Sequence, residues 1–288
     1  MHAGFFFGSN ALYEALRNLG DQGQRDIRMT GISFPNALFG NEELKRAQRL
    51  HARFINSAMM VTLLGAAVCD QLEDGRGVSG IGGQYNFVAQ AHELEDGRSI
   101  IALPATRIAN GRAQSNIRWT YGHVSVPRHL RDIVVTEYGA ADTRGLSDRD
   151  TIAAMVNIAD SRFQEGLLHQ AKAARKIERS YEIPYEFRDN TPERIERALG
   201  LALADGTLPM FPFGTDMTDE EAALVPALTR LKHAGGSIME LARLALRGTP
   251  WAAPSPAETV LLCRMGLDKP QNPRERLEAA LVLGALRI

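Results

Sequence analysis

Val78-Ser79-Gly80-Ile81-Gly82-Gly83-Gln84-Tyr85-Asn86-Phe87 is a glycine turn that opens a helix, and Ile133-Val134-Val135-Thr136-Glu137-Tyr138-Gly139 is a buried strand that ends on a carboxylate. Gly80, Gly82 and Gly83 remove three Cβ atoms from one short turn, so its amides can approach a ligand closely and adopt positive φ. A helix from Gln84 adds the positive end of its dipole, which suits a phosphate or a developing oxyanion. The spacing fits neither GxGxxG nor GxxxxGK[ST], which disfavours a dinucleotide or nucleoside triphosphate site. Taken alone, such a turn reads first as a tight connection between two elements.

Outward from these two stretches, strand-like and helix-like segments alternate to about residue 180, the pattern of an open α/β sheet. Phe5-Phe6-Phe7 is a short apolar run. Asn10 to Leu19 reads as a helix capped by Ser9. Ile27 to Phe34 is a candidate strand, and Glu42 to Arg49 a charged surface turn of helix. Phe54 to Leu64 is apolar and strand-like at first. A helix is expected over Gln84 to Glu93, a short strand over Ser99 to Leu103, and further short strands at Ile117 to Thr120 and His123 to Val126. Asp148 to Asn157 and Phe163 to Lys176 are amphipathic. From about 181 the segments turn helical, after a stretch from Glu182 to Arg188 that still reads as extended. The helical signals are Thr191-Pro192, the capping box Thr218-Asp219-Glu220-Glu221, Ser237 after Gly235-Gly236, Ser255-Pro256 and Asn272-Pro273. Joints rich in Pro and Gly lie at 207–216 and 248–256. The reading is an α/β domain over 1–180 and a helical extension over 181–288.

The 288 residues carry 33 Lys and Arg against 34 Asp and Glu, and this balance argues against a general nucleic-acid binder. Cys69 and Cys263 lie in apolar runs without CxxC spacing and read as two buried free thiols of a reducing cytosol. The N-terminus shows no basic start with a long apolar core, and the apolar stretch Ala58 to Cys69 is too short to span a bilayer. A cytoplasmic protein is expected. His123 and His129 have no partner at metal-ligand spacing, so no metal site is expected. Ser79 is not in G-x-S-x-G, which disfavours a serine hydrolase. Trp119, Tyr121 and the Phe5 to Phe7 run read as core.

Taken with its neighbours, the glycine turn resembles the acetyl-CoA hydrolase/transferase family, of the class I CoA-transferase superfamily. Ser79-Gly80-Ile81-Gly82-Gly83-Gln84-x-x-Phe87-Val88 resembles S-G-[IV]-G-G-Q-x-D-F-V. Ser99 to Thr106 resembles K-S-I-I-A-L-P-S-T, and Val134-Val135-Thr136-Glu137-Tyr138-Gly139-x-Ala141-Asp142-x-Arg144-Gly145 resembles V-V-T-E-Y-G-x-A-x-L-R-G. Ile158-Ala159-Asp160-x-x-Phe163 resembles the helix that follows, and Ile55-Asn56-Ser57 the family's I-N-S strand. The likeness runs in order over roughly residues 4 to 176. It implies an open sheet of the CoA-transferase (NagB/RpiA-like) type, with the all-helical extension outside the familiar pattern.

In that family a glutamate attacks an acyl-CoA thioester to give an acyl-enzyme anhydride and CoA thiolate; the thiolate returns to the glutamyl carbonyl, expelling the acyl group as its carboxylate, and the glutamyl-CoA thioester passes CoA to another acid, or water ends the cycle. The nucleophile belongs to a G-[IL]-H-[ST]-E motif upstream of the segment that Ala3 to Leu16 matches; no such motif occurs here, so the chain reads as a C-terminal portion. Three positions depart from the pattern: Met60 and Thr62 replace two carboxylates, and Asn86 replaces an Asp. The resemblance implies that Gly80, Gly82 and Gly83 donate oxyanion or pantetheine amides and that Gln84 contacts acyl-CoA or caps the helix. Glu137 would orient the nucleophile or water, or be satisfied by the amides of its own turn, and Asn41 would face the site. Arg107, Arg112, Arg118, Arg128 and Arg131 would meet CoA phosphates or be solvated.

Coenzyme A enters as substrate, with a small carboxylate or water as second reactant and no tightly bound cofactor. A missing half would leave an apolar face, so an N-terminal half or a second copy is the expected partner. A non-catalytic domain of the same fold that binds CoA or packs in an assembly is the second reading. An unrelated nucleotide-binding α/β domain is the third, against which the order of the motifs argues.

Overall fold

The computed structural model describes residues 1–109, 111–248 and 253–288. In chain order the elements begin with β1 (His2–Ala3), α1 (Asn10–Arg17), α2 (Asp21–Asp26), β2 (Arg28–Met29), α3 (Ser33–Asn36) and α4 (Glu42–Gln48). β3 (Arg53–Ser57), β4 (Met60–Thr62), β5 (Ala67–Val68), α5 (Gln84–Glu93) and β6 (Arg98–Ala102) follow. Next come β7 (Thr106–Ala109), β8 (Arg112–Ser115), β9 (Ile117–Arg118), β10 (Ile133–Thr136) and β11 (Gly139–Asp142). The remainder is helical: α6 (Asp148–Asn157), α7 (Ser161–Ala173), α8 (Pro192–Ala204), α9 (Asp219–Ala234), α10 (Ile238–Gly248), α11 (Pro256–Arg264) and α12 (Pro273–Leu286). Two compact units result: Met1–Arg107 with Gln114–Pro209, and Ile108–Ala113 with Met210–Ile288.

The first unit is built on a four-stranded sheet in the order β11-β10-β6-β3. β3, β6 and β10 are parallel, with Ser57 beside Ala102 and Ala102 beside Val135, and β11 returns antiparallel from Thr136 to Gly139. Parallel neighbours need a crossover, and α5 supplies it between β3 and β6. Side chains alternate across the sheet. Ile101, Val134 and Ala141 point into a core shared with Val88 of α5 and with Ile152, Met155 and Val156 of α6. On the other face Ile55, in the register row of Ile100 and Ile133, is 69% exposed. A second small sheet, β5-β4-β9, buries Val61, Leu63 and Ile117. Each of these three contributes about 1.5–3 kcal/mol, so the core centres here and not in the N-terminal segments.

Several local expectations change. The apolar run Phe54 to Leu64 is not one strand: Ala58 and Met59 break it, and β4 joins a different sheet. Ile27 to Phe34 gives only the two-residue β2 and the start of α3, and His123 to Val126 only a single bridge, Ala67 to Val126. Glu182 to Arg188 contains a 3₁₀ turn at Tyr185–Phe187. Phe5 and Phe7 are exposed, not core, since no strand carries them into the sheet. Cys263 is exposed, whereas Cys69 is half-buried with its thiol pushed up by burial. Glu42 to Gln48 is helical but not merely a surface turn: the Lys45 ammonium is buried and donates to the carbonyls of Phe34, Ala37 and Phe39 at 2.7, 2.9 and 2.7 Å. Those three acceptors satisfy the ammonium, while burial still lowers its pKa. Residues 249–252 of the second joint lie outside the described residues.

The helical unit follows its caps. Thr218 and Ser255 form reciprocal capping boxes with Glu221 and Glu258, and Asn272 accepts from Glu275. Leu224, Leu262 and Val282 fill one cluster, and Ala227, Leu244 and Ala285 another. α10 and α12 meet backbone to backbone. A Cβ on Gly248 would fall 1.7 Å from the Ala280 carbonyl oxygen, and one on Gly284 would fall 1.9 Å from that of Leu244. Arg287 Nε donates to Glu258 Oε1 at 2.7 Å, and the Ser255 amide donates to Oε2 at 2.7 Å. The Arg287 guanidinium first, and that amide second, hold the Glu258 carboxyl at about 2, below its ordinary 4.5. A depressed folded pKa stabilises the unit fully above the unfolded value, and this contribution is lost as pH falls from 4.5 toward 2. Glu258→Gln is expected to flatten the acid side of the helical unit's melting profile in that window. A profile unchanged between wild type and variant would show that the pair carries no such linkage.

Candidate functional site

The parallel strands end together. Ser57, Ala102 and Val135 lie in one register row, so the chain leaves β3, β6 and β10 on the same edge. Open α/β sheets bind ligands at this edge. The glycine turn is tied to it, because buried Gln84 at the start of α5 donates from Nε2 to the Ser57 carbonyl at 3.0 Å. Glu137 follows β10 directly, and its Oε2 accepts from the Ala105 amide, just beyond β6, at 2.7 Å. Two strand spacings of about 4.8 Å each separate the β3 and β10 ends.

The turn itself is open. Gly82 has φ +60° with nothing within 4 Å of a notional Cβ, and Gly80 has the same open space. Gly83 is the close-packed member, with Asn36 Nδ2 2.5 Å and Phe87 Cε2 2.9 Å from where its Cβ would stand. Gly83 occupies the N-cap position of α5 and no side chain caps the helix. The first-turn amides therefore keep their donors, and the dipole is left facing the turn. Val78, Ile81 and Tyr85 are 50, 40 and 44% exposed around it, an apolar rim beside polar amides. Ser79 fixes the approach: its hydroxyl donates to the Cys69 carbonyl at 3.0 Å, and its amide reaches the Asp70 carbonyl at 3.3 Å.

Glu137 is exposed, with Oε1 free of hydrogen bonds among the described residues. Its partner amide is that of Ala105, not one in the Tyr138-Gly139 turn. The neighbouring Tyr138 hydroxyl donates to Asp160 Oδ2 at 3.1 Å, and burial, followed by the Asp160 charge, pushes its pKa up. Asn41 is exposed in a left-handed conformation, φ 58° and ψ 45°, at the start of α4, where its side chain makes no cap. The residue lying against the turn is Asn36, which the sequence reading did not single out. Its only signal was an Asn after Pro35 in a short helix. Met60 and Thr62 are buried, and Thr62 Oγ1 accepts from the Ala66 amide at 3.0 Å.

The arginines do not form one patch. Arg107 is held between Asn116 Oδ1 at 2.7 Å and Gln114 Oε1 at 3.0 Å. Arg128 and Arg131 precede β10, and both approach Asp148, on the edge away from Glu137. Among the described residues there is no group of three His, Cys, Asp or Glu side chains able to hold a metal ion, and no helix is long and apolar enough to cross a membrane.

Comparison with known proteins agrees with this geometry. The chain is 36% identical over 120 residues to the 4-hydroxybutyrate coenzyme A transferase of Clostridium kluyveri, covering 41% of this chain and 28% of that protein. It is 33% identical over 130 residues to the butyryl-CoA:acetate CoA-transferase of Anaerostipes caccae, covering 44% and 29%. The chain thus spans less than a third of the length of these relatives. Among solved structures, the M31G mutant of RipA is 30% identical with a TM-score of 0.50, over 59% of this chain and 36% of that one. The profile of the acetyl-CoA hydrolase/transferase C-terminal domain matches residues 8–171, more than half of the sequence. An open sheet with an uncapped glycine turn and a carboxylate along one edge, and a domain match running through both, make this chain a member of the acetyl-CoA hydrolase/transferase family, related to the class I CoA-transferases.

Proposed function

We propose that this chain supplies the CoA-binding and oxyanion-stabilising side of an acyl-CoA hydrolase or CoA-transferase site, acting on acetyl-CoA or another short-chain thioester, with the attacking glutamate carried elsewhere. The family acts on acyl-CoA substrates. The observation that carries the reading is the open turn at Gly80 and Gly82, in front of the uncapped N-terminus of α5. When a thioester carbonyl becomes a tetrahedral oxyanion, an amide donor in place gains strength with the developing charge, contributing about 3 kcal/mol. Gly83 and Gln84 hold the turn against Asn36 and Ser57. Glu137, with one oxygen fixed by Ala105 and one free, is placed to orient the attacking group or a water. Asn41 is assigned only to the rim of the site. The exposed Phe5, Phe7, Phe39 and Ile55 support a partner, either an N-terminal half or a second copy.

The test uses the purified chain with CoA and with acetyl-CoA. Saturable CoA binding is expected, and Gly82→Val should weaken it at least about tenfold, because a branched side chain disfavours positive φ and fills the approach to the amides. Unchanged CoA affinity in a folded Gly82→Val protein would sink the assignment. Free-thiol release, with and without acetate, separates the two readings of the family fold. Release that appears when a glutamate-bearing partner is added, and falls with Glu137→Gln, indicates a shared catalytic site. Binding that never leads to release indicates a non-catalytic CoA-binding domain.

A further inference from the structure

A cavity of about 400 Å³ lies at the opposite edge of the same sheet, lined by His92, Arg128, His129, Arg131, Arg144 and Asp148. His92 is at the end of α5, and Arg128 to Arg131 precede β10, so the four-residue strand β10, about 13 Å long, separates this cavity from the glycine-turn edge. We propose that this cavity is a second site, which binds a phosphate-type oxyanion.

Charge is the first support. The cations on and behind this wall are Arg98, Arg128, Arg131, Arg144 and Lys176, and the carboxylates they meet are Asp132, Asp142 and Asp148. Five cations face three anions, although the chain as a whole has a net charge of -1. Donor bookkeeping is the second. Arg144 Nη2 is committed to Asp132 Oδ2 at 2.5 Å and the Ala91 carbonyl at 3.2 Å, yet its Nε is buried with no hydrogen-bond partner. A buried guanidinium donor left without an acceptor calls for an ion or water that the protein does not supply. Arg128 uses only Nη1, on Asp148, and exposed His129 has no partner among the described residues. His92 Nε2 lies 3.1 Å from the Leu130 carbonyl, which leaves Nδ1 available. Gly145, at φ +74° with nothing within 4 Å of a notional Cβ, leaves the backbone bare on the same wall. A guanidinium fork with adjacent imidazoles matches the several acceptor oxygens of a phosphate.

The oxyanion can be free phosphate or a phosphate carried on CoA, and the experiment separates the two. The imidazole C–H signals of His92 and His129, assigned with single-histidine variants, are followed by NMR as inorganic phosphate is titrated into the full chain at constant ionic strength against chloride. Both signals are expected to move saturably with phosphate and not with chloride. Arg128→Ala, whose side chain among the described residues bridges only to Asp148 in an exposed pair, should keep the fold and weaken the effect about tenfold or more, the worth of one charge-assisted hydrogen bond. Arg144→Lys retains a cation for Asp132 but not the fork, and should weaken it similarly. A parallel titration with CoA tells the source: movement of the same signals, lost in Arg128→Ala, assigns a carried phosphate, and movement with inorganic phosphate alone assigns the free ion. Signals that respond to none of these, that follow chloride equally, or that saturate unchanged in both variants would overturn the site.

Discussion

Asp132→Ala is expected to destabilise the α/β unit by about 3–5 kcal/mol, the scale for removing one partner from a buried ion network. Its carboxylate is almost fully buried between two arginines. Oδ1 accepts from Arg98 Nε at 2.9 Å and Nη2 at 2.7 Å, and Oδ2 accepts from the Ser99 amide at 2.7 Å and from Arg144. Its backbone carbonyl also takes the Thr143 amide at 2.8 Å and the Thr143 hydroxyl at 2.6 Å. One side chain therefore joins the start of β6, the start of β10 and the chain leaving β11. Truncation leaves the Ser99 amide and two guanidinium groups short of an acceptor, so desolvation outweighs anything regained by relaxation. Arg98 keeps Asp142 at 2.7 Å, which limits the loss on that side. Urea unfolding followed by circular dichroism measures the effect. An unfolding free energy within about 1 kcal/mol of wild type, well below the range for such networks, would show that the cluster holds nothing together.

Gly284→Ala should destabilise the helical unit, although alanine is the better helix former. Propensity favours the substitution by about 1 kcal/mol. Against it, the new Cβ would sit 1.9 Å from the Leu244 carbonyl oxygen and 2.7 Å from its carbon, and backbone cannot swing aside as a side chain would. Overpacking of this kind costs about 3 kcal/mol, so a net loss near 2 kcal/mol is expected. Gly166 on the exposed face of α7 is the control, with nothing within 4 Å of its missing Cβ. Gly166→Ala should gain up to about 1 kcal/mol. Equal effects from both substitutions in thermal melts would mean that α10 and α12 are not in close contact.

Much of this architecture can be read from the residues themselves. β10 occupies Ile133–Thr136 as expected, because four β-preferring residues in a row, ended by a carboxylate and a glycine, leave little choice. α5 and α6 run over the expected Gln84–Glu93 and Asp148–Asn157, since the glycine turn and Ser147 mark their starts. The helical extension is punctuated by side-chain caps that act within four residues, so local sequence suffices. What escaped depends on distance along the chain. The break at Ala58 and Met59 is set by β4 pairing with β9 more than fifty residues away. Lys45 is buried because three carbonyls of α3 and the loop after it converge on it, and a lysine in a charged helix gives no hint of that. The Asp132 cluster joins residues 98, 132 and 144, and although Arg144 falls in a motif, nothing in a local window shows that the three meet. For the candidate site, the glycine turn and Glu137 stand out in the sequence and lie at one sheet edge, whereas the packing of Asn36 on Gly83 is a tertiary accident that no short motif encodes.

The two ends of the strands differ in how they are held. At one end Asp132 binds three segments through its charge, while at the other Gly80 and Gly82 stand in open space and Glu137 has a single fixed oxygen. Tolerance to change therefore divides the same way. A residue replaced on the open edge alters the local surface before it alters whether the chain folds, so that rim can diverge with little risk to the scaffold. On the tied edge, substitutions at Asp132 and its partners would be removed by loss of the fold first. A sheet with one locked rim and one loose rim is a scaffold whose loose rim can change without the architecture having to be rebuilt.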